Sequence, residues 1–101
     1  MTESDDARYP IGRFVWDAEP DEARRAAWLD AIRRTPAALR DALAAVTDPD
    51  RPVRPGAWTI RQLVHHLADA HMNLFCRFKF ALTEESPHVK PFDEDLWVQT
   101  P

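Results

Sequence analysis

The spacing of its prolines is the feature that most limits what this chain can fold into. Three of the nine prolines lie between residues 49 and 55, and none lies between Pro55 and Pro87. Because proline lacks a backbone N–H and clashes with the preceding helical turn, the long proline-poor stretches are where helices can form. Only two glycines and many Ala, Leu and Arg residues strengthen that preference. We therefore predict an all-α protein whose helices are separated by stiff connections.

The first predicted helix covers residues 21–46. Apolar side chains recur there at spacings of four and seven, which is the period of one helix face; they are Trp28, Ile32, Leu39, Leu43 and Val46. Pro36 interrupts this helix, but the apolar phase continues across it. We expect either a kink at Pro36 or two short helices stacked nearly end to end, with Thr35 as a local cap.

The second predicted helix covers residues 60–83 and has the clearest start signal in the chain. Thr59-Ile-Arg-Gln62 fits a capping box, in which the Thr and Gln side chains each bond the other residue's backbone amide. Apolar residues then recur regularly on one face and predict a core-facing side, here called the apolar stripe: Ile60, Leu63, Val64, Leu67, Leu74, Phe75, Phe78 and Leu82.

The segments that flank the helices are predicted to be irregular. Residues 1–8 are polar, and residues 9–16 are apolar but contain Pro10 and Gly12, which favours an extended arm packed on the rest of the chain. Residues 84–101 form a predicted proline-rich loop, in which Phe92, Leu96 and Trp97 pack back on the helices. The acidic run at residues 93–95 is expected to be solvated.

Composition excludes several classes of protein. The net charge of −4 argues against a nucleic-acid partner, including a DNA-recognition role for residues 59–71. The single Cys76 cannot form an internal disulfide, so an oxidising compartment is not required. No apolar run approaches the ~20 residues of a membrane span, and the acidic start lacks the regions of a signal peptide. We expect a cytoplasmic protein with no membrane partner.

The length of 101 residues allows one domain. The chain stops directly after an apolar patch, and two aromatic-rich helices normally need more neighbours than each other. We expect residues 1–101 to be the N-terminal part of a single helical bundle whose C-terminal half is missing, or to pair with a second copy as a homodimer.

The candidate chemistry lies in three histidines of the second helix. At about 100° per residue, His71 falls inside the apolar stripe and is predicted to be a core residue with a satisfied nitrogen. His66 falls on a polar strip about 120° to one side. The other members of this polar strip are Gln62, Asn73 and Arg77. His65 points the opposite way, towards Asp69.

This geometry limits what one helix can bind. Two metal ligands on one helix face need a spacing of three or four residues, whereas these histidines are one and five residues apart. One metal ligand is therefore plausible here and a complete site is not. Asp69 can orient a histidine ring through a hydrogen bond. The alternative for His66 is a solvated or helix-pairing residue, and His88 is interpreted as a surface residue.

Ordered blocks of sequence resemble the YfiT branch of the DinB superfamily, whose members are described as metal-dependent hydrolases and whose relatives include bacillithiol S-transferases. The blocks are Tyr9-Pro-Ile-Gly12, Arg54-Pro-Gly-Ala-Trp-Thr-Ile-Arg-Gln62, His65-His66-Leu-Ala-Asp69-Ala-His71-Met-Asn73, Arg77-Phe-Lys79, Leu82-Thr-Glu84 and Lys90-Pro-Phe-Asp-Glu94. They cover nearly the whole chain from Tyr9 onward.

The resemblance implies a DinB-like four-helix bundle with a divalent metal, nickel or zinc, bound by three histidines. It places one ligand at His66 and the other two in a His-x-x-x-His pair beyond residue 101. It also implies that the polar strip faces the site, with Gln62, Asn73 and Arg77 as candidate pocket residues.

Two functions are carried forward. The first is a metal-dependent hydrolase or thiol S-transferase that uses a metal-activated water or thiol on a small molecule, with little activity expected from residues 1–101 alone. The second is a non-catalytic helical module that dimerises through its aromatic faces, with all its histidines structural.

Overall fold

The computed structural model describes residues 8–101 and is helical, with no β-strand in that range. Helix α1 spans Glu22–Leu43, α2 spans Ile60–Thr83, and the short α3 spans Glu94–Trp97. The chain divides into two compact units, Met1–Thr47 and Asp48–Pro101. No helix in the described part is long and apolar enough to cross a membrane.

Helix α1 begins where the sequence predicts and continues through its proline. The Asp21 side chain accepts a hydrogen bond from the Arg24 amide at 2.7 Å and so caps the first turn. The helix is continuous across Pro36, so the alternative of two stacked helices is wrong. Thr35 is not a cap, because its hydroxyl donates to the Ala31 carbonyl within the helix at 2.8 Å.

Helix α1 is shorter than predicted and ends at Leu43 instead of residue 46. The Ala44 amide bonds the carbonyls of both Arg40 and Asp41, which tightens and closes the last turn. Val46 then continues as a turn, with its amide bonded to the Leu43 carbonyl at 3.0 Å.

The arm before α1 differs from the prediction in its packing. Residue 12 is a glycine with φ of 91°, and its amide bonds the Tyr9 carbonyl at 2.9 Å, so the arm begins with a turn. Ile11 is 98% exposed and Phe14 is 84% exposed, so these apolar side chains of the arm are not buried. Residues 1–7 of the predicted polar start lie outside the described residues.

The second unit begins with an ordered loop that leads into α2. The Val53 amide bonds the Trp58 carbonyl at 2.9 Å, and Pro52 pairs with Thr59 in an isolated antiparallel bridge. Gly56 supplies the positive φ of 75° that this turn requires. The loop therefore fixes the backbone of Trp58 and Thr59 before the helix starts.

Helix α2 has the predicted bounds, and its capping box is present in both directions. Thr59 Oγ1 accepts from the Gln62 amide at 3.1 Å, and Gln62 Oε1 accepts from the Thr59 amide at 3.0 Å. Arg61 in the first turn donates from Nε to Asp50 Oδ1 at 2.8 Å. That hydrogen bond lowers the pKa of the exposed Asp50 carboxyl.

The loop after α2 is not wholly irregular, because residues 94–97 form a helical turn. Asp93 Oδ1 accepts from the Leu96 amide at 3.0 Å, and Glu94 and Asp95 occupy the first turn, where negative charge suits the helix dipole. The acidic run was expected to be solvated. All three residues are exposed as expected, and the carboxylates of Asp93 and Asp95 also accept hydrogen bonds.

Little of the apolar stripe is covered within the described residues, where Val98 is the one buried apolar side chain. Ile60, Val64 and Leu67 are half-buried, but Phe75 is 63% exposed and Leu82 is 82% exposed. The period of the stripe is therefore helical as predicted, while its burial is incomplete because burial requires polypeptide packed against it.

Candidate metal-ligand site around His66

The polar strip of α2 is partly covered by the loop that follows the helix. This returning segment contacts the strip at Lys90 and Phe92. The four members of the strip, Gln62, His66, Asn73 and Arg77, recur every four, seven or eleven residues and are all half-buried. Asp69 lies beside them and is also half-buried. The strip is thus partly covered, whereas His65, on another side of the helix, is exposed.

The His66 ring lies against two aromatic side chains. Its centroid is 5.0 Å from the Trp58 ring and 6.4 Å from the Phe92 ring, with interplanar angles of 57° and 34°. Trp58 comes from the loop before α2 and Phe92 from the loop after it. The loops on the two sides of α2 therefore meet at this histidine.

One ring nitrogen of His66 has no hydrogen-bond partner. Nδ1 is buried and unpartnered among the described residues. Leaving a buried polar atom unsatisfied costs about 1–3 kcal/mol, so such an atom requires an explanation. An imidazole nitrogen with a free lone pair is a ligand for zinc, nickel, copper or iron.

His66 fits one coordination position and no more. Among the described residues, no group of three or more His, Cys, Asp or Glu side chains is placed to hold a metal ion. The predicted orienting bond from Asp69 is not made to Nδ1, since that atom is unpartnered. Any complete metal centre that includes His66 must take its other ligands from outside this described part.

The other candidate residues of the polar strip have structural partners. Gln62 is engaged in the capping box. Asn73 Nδ2 donates to the Asp69 carbonyl at 2.8 Å, and Arg77 Nη2 donates to the Lys90 carbonyl at 3.0 Å. Arg77 therefore ties the returning segment to the helix.

A small open groove of about 240 Å³ lies beside this segment. Asn73 is the one candidate pocket residue that lines it, and the remaining lining residues are Lys90, Pro91, Phe92, Asp93 and Trp97. The groove reaches His66 only through the shared neighbour Phe92. Gln62 and Arg77 remain candidates for a pocket that this part of the chain does not enclose.

His71, on the apolar stripe of α2, differs from the prediction in burial. Its Nδ1–H donates to the Leu67 carbonyl at 2.7 Å, so the nitrogen is satisfied as expected. The side chain is exposed, not in a core. His88 is exposed, as a surface residue would be.

Sequence patterns missed the contacts that surround His66. Trp58 Nε1 donates to Asp95 Oδ1 at 2.9 Å across 37 positions of sequence, and Phe92 packs on Trp97 with ring centroids 4.8 Å apart. The available signals were a tryptophan directly before a helix cap and two aromatic residues soon after Pro91. Periodicity within one helix does not show which loops cover it.

Comparison with known proteins defines the class to which this helical chain belongs. The DinB superfamily profile matches residues 31–101. The chain therefore belongs to the DinB superfamily, and the predicted all-α, bundle-type fold is confirmed by similarity to a solved four-helix bundle.

Individual relatives are similar over almost the whole chain. The Bacillus subtilis protein named "Putative metal-dependent hydrolase YfiT" is 44% identical over 93 residues, covering 90% of this chain and 52% of the relative. A Geobacillus thermodenitrificans protein of the same general name is 47% identical over 102 residues, covering 99% and 57%.

A solved structure of Bacillus subtilis YfiT matches with a TM-score of 0.88 at 41% identity, covering 94% of this chain and 55% of that one. It is described as a probable metal-dependent hydrolase with an unusual four-helix bundle topology. The chain thus spans about half the length of the curated relatives it matches.

Proposed function

We propose that this chain contributes to a metal-dependent hydrolase, with His66 as one ligand of a divalent metal. The observation that carries the proposal is the buried, unpartnered Nδ1 of a histidine on a half-covered polar strip. Similarity to proteins named as metal-dependent hydrolases supports it. The remaining ligands would come from polypeptide outside residues 1–101.

Nickel or zinc is proposed because imidazole ligands suit both ions. When bound with an open coordination position, such an ion makes a water or thiol more acidic and so provides a nucleophile at neutral pH. The chain's own contribution is to hold the His66 ring in a fixed direction beside the Trp58 and Phe92 rings. Thiol S-transfer to a small molecule is the alternative reaction, and a cytoplasmic location without nucleic-acid partners remains a prediction.

Metal analysis of the complete gene product tests this proposal. We expect His66→Ala to lose bound nickel or zinc, measured by mass spectrometry of the purified protein after dialysis. His65→Ala is a matched control, because it removes an adjacent imidazole that is exposed on another side of the helix. It should keep the metal content of the unmodified protein, with unchanged helical content by circular dichroism.

Unchanged metal content in His66→Ala would remove the central claim. If His66→Ala does lose the metal, activity assays separate the two reactions. A hydrolase turns over ester or amide substrates, whereas a transferase moves a low-molecular-weight thiol to an electrophile. Residues 1–101 alone should bind metal weakly, because a single imidazole cannot select an ion.

The second candidate function, a dimerising helical module, is favoured by the exposed end of the apolar stripe. Phe75, Phe78 and Leu82 are all more than half exposed in the described chain. Contiguous exposed apolar surface normally marks an interaction site. A dimer that contains no metal and is unaffected by His66→Ala would support this function over the hydrolase.

A further inference from the structure

We propose that Trp58 and Phe92 form an aromatic clamp that sets the direction of the His66 imidazole, and that Asp95 controls this clamp by anchoring Trp58. These are positioning residues, since Asp95 bonds Trp58 and not the histidine. The effect on metal affinity rests on the proposed function. The orientation of the ring is a property of the metal-free protein and is measurable without it.

Trp58 is held at both its backbone and its side chain. Its carbonyl accepts from the Val53 amide at 2.9 Å, and the next residue, Thr59, is fixed by the bridge to Pro52 and by the helix cap. The indole Nε1–H donates to Asp95 Oδ1 at 2.9 Å. Hydrogen bonds to an ionised carboxylate are shorter and stronger than neutral ones, so this contact fixes the plane of the indole.

Phe92, the second aromatic ring beside His66, is also held in place by its neighbours. It packs on Trp97 with centroids 4.8 Å apart, and Asp93 directly after it caps helix α3. Two residues before it, the Lys90 carbonyl accepts from Arg77 Nη2. The loop segment that presents Phe92 is therefore attached to α2 on one side and to α3 on the other.

The consequence for His66 follows from these attachments. A histidine ring free to rotate must lose that freedom when it binds an ion, whereas a ring already fixed by its neighbours loses less. Residues that orient a metal-binding histidine commonly change metal affinity by about 10–100-fold when they are removed. Here the groups in contact with His66 are the rings of Trp58 and Phe92, and the Asp95 carboxylate acts indirectly through its hydrogen bond to Trp58.

The test uses four single variants and one double variant of the complete gene product. Asp95→Ala and Trp58→Phe each remove the indole–carboxylate hydrogen bond, and Trp58→Phe keeps an aromatic ring beside His66. Asp95→Asn keeps an acceptor oxygen and is the conservative variant. Glu94→Ala is the matched control. It removes a neighbouring carboxylate in the first turn of α3 that does not bond Trp58.

Two quantities are measured. The first is the dissociation constant for zinc, by competition with a chromophoric chelator. We expect it to rise about tenfold in Asp95→Ala and in Trp58→Phe, and to change less than about twofold in Asp95→Asn and Glu94→Ala. Asp95→Ala and Trp58→Phe remove the same hydrogen bond. The double variant should therefore bind zinc no more weakly than either single variant.

The second quantity is the NMR chemical shift of the His66 ring protons in the metal-free protein. These protons experience the ring currents of Trp58 and Phe92, so their shifts should move towards free-histidine values in Asp95→Ala and stay in place in Glu94→Ala. A merely structural role for Asp95 would lower the melting temperature without moving the His66 signals selectively. If Asp95→Ala does not fold, Asp95→Asn in NMR and the zinc affinity of Trp58→Phe test the same hydrogen bond.

The failures of the two proposals are distinguishable. If zinc binds through His66 but the weakening variants match Glu94→Ala in affinity, the clamp is wrong and the proposed function stands. If the protein binds no metal through His66, the proposed function is wrong, and the NMR shifts alone decide the clamp. Unchanged His66 shifts in Asp95→Ala, which keeps the indole itself, overturn it in either case.

Discussion

The three histidines of α2 have very different surroundings. His65 is exposed, and His71 is exposed with its Nδ1–H donated to a carbonyl of its own helix. Only His66 of these three is half-buried against aromatic rings, with a ring nitrogen that has no partner among the described residues. The difference arises from the loops on either side of the helix, which cover one strip of its surface. The proposed role as a metal ligand therefore rests on His66 and not on its neighbours.

Substitution of His66 should separate function from stability. In chelator-treated protein, His66→Phe should raise the free energy of unfolding by about 1 kcal/mol, because it keeps an aromatic ring and removes the unsatisfied nitrogen. Urea denaturation monitored by circular dichroism measures this change. A loss of more than about 1 kcal/mol would contradict it, since it would show that the nitrogen has a polar partner in solution.

The elements of the second unit are defined at their ends by short hydrogen-bonded motifs. The capping box at Thr59 begins α2, and the Asp93 side chain begins α3. Each motif also places a neighbour of the site, since Trp58 precedes the first cap and Phe92 precedes the second. Capping and positioning of the site are thus linked through adjacent residues.

Thr59→Ala should lower the free energy of unfolding of the complete gene product by about 1 kcal/mol, because it leaves the Gln62 amide without its acceptor. Thr59→Ser keeps that acceptor and should lose much less. Chemical denaturation of both variants checks this. Equal stabilities for the Ala and Ser variants would contradict the capping role.

The attachment of the preceding loop to α2 should be visible in a titration. Because Arg61 donates to Asp50, the pKa of the Asp50 carboxyl lies below its usual value in the folded protein. This contribution to stability is present above the unfolded pKa and is lost as the pH falls through the lowered folded value. Arg61→Gln should return the pKa of Asp50 towards normal in an NMR titration, and an unchanged Asp50 curve would contradict the contact.

Local patterns in the sequence predicted the elements better than the contacts between them. The bounds of α2 follow from a capping box and a helical period, both of which act within a few residues. The end of α1 at Leu43 and the helical turn at residues 94–97 were not predicted, because apolar spacing alone does not mark where a short helix stops or starts. The bond from Trp58 to Asp95 joins positions 37 residues apart and leaves no periodic signal.

At the scale of the whole chain, the described residues leave much of their apolar surface exposed. Val98 is the one buried apolar side chain in residues 8–101, while large side chains of both long helices are exposed, including Leu29, Phe75 and Leu82. The candidate site offers one histidine, and no group of three or more His, Cys, Asp or Glu side chains is placed to hold a metal ion among the described residues. Both features are expected where a chain corresponds to about half the length of its relatives.

Residues 1–101 produced alone should therefore associate. We expect light scattering to give a mass above the 11.6 kDa of one chain, and Phe78→Glu to reduce it by placing a charge in the apolar stripe. His65→Glu adds the same charge at an exposed position of the same helix and should leave the mass unchanged. A monomer that does not bind a hydrophobic dye would contradict this expectation.

The most direct test of the central claim is a crystal structure of the complete gene product grown with zinc, with data collected on both sides of the zinc absorption edge. We predict an anomalous peak about 2.0–2.1 Å from a ring nitrogen of His66, with further ligands from outside residues 1–101. A zinc peak coordinated without His66, or a His66 ring directed into solvent away from any bound ion, would contradict it.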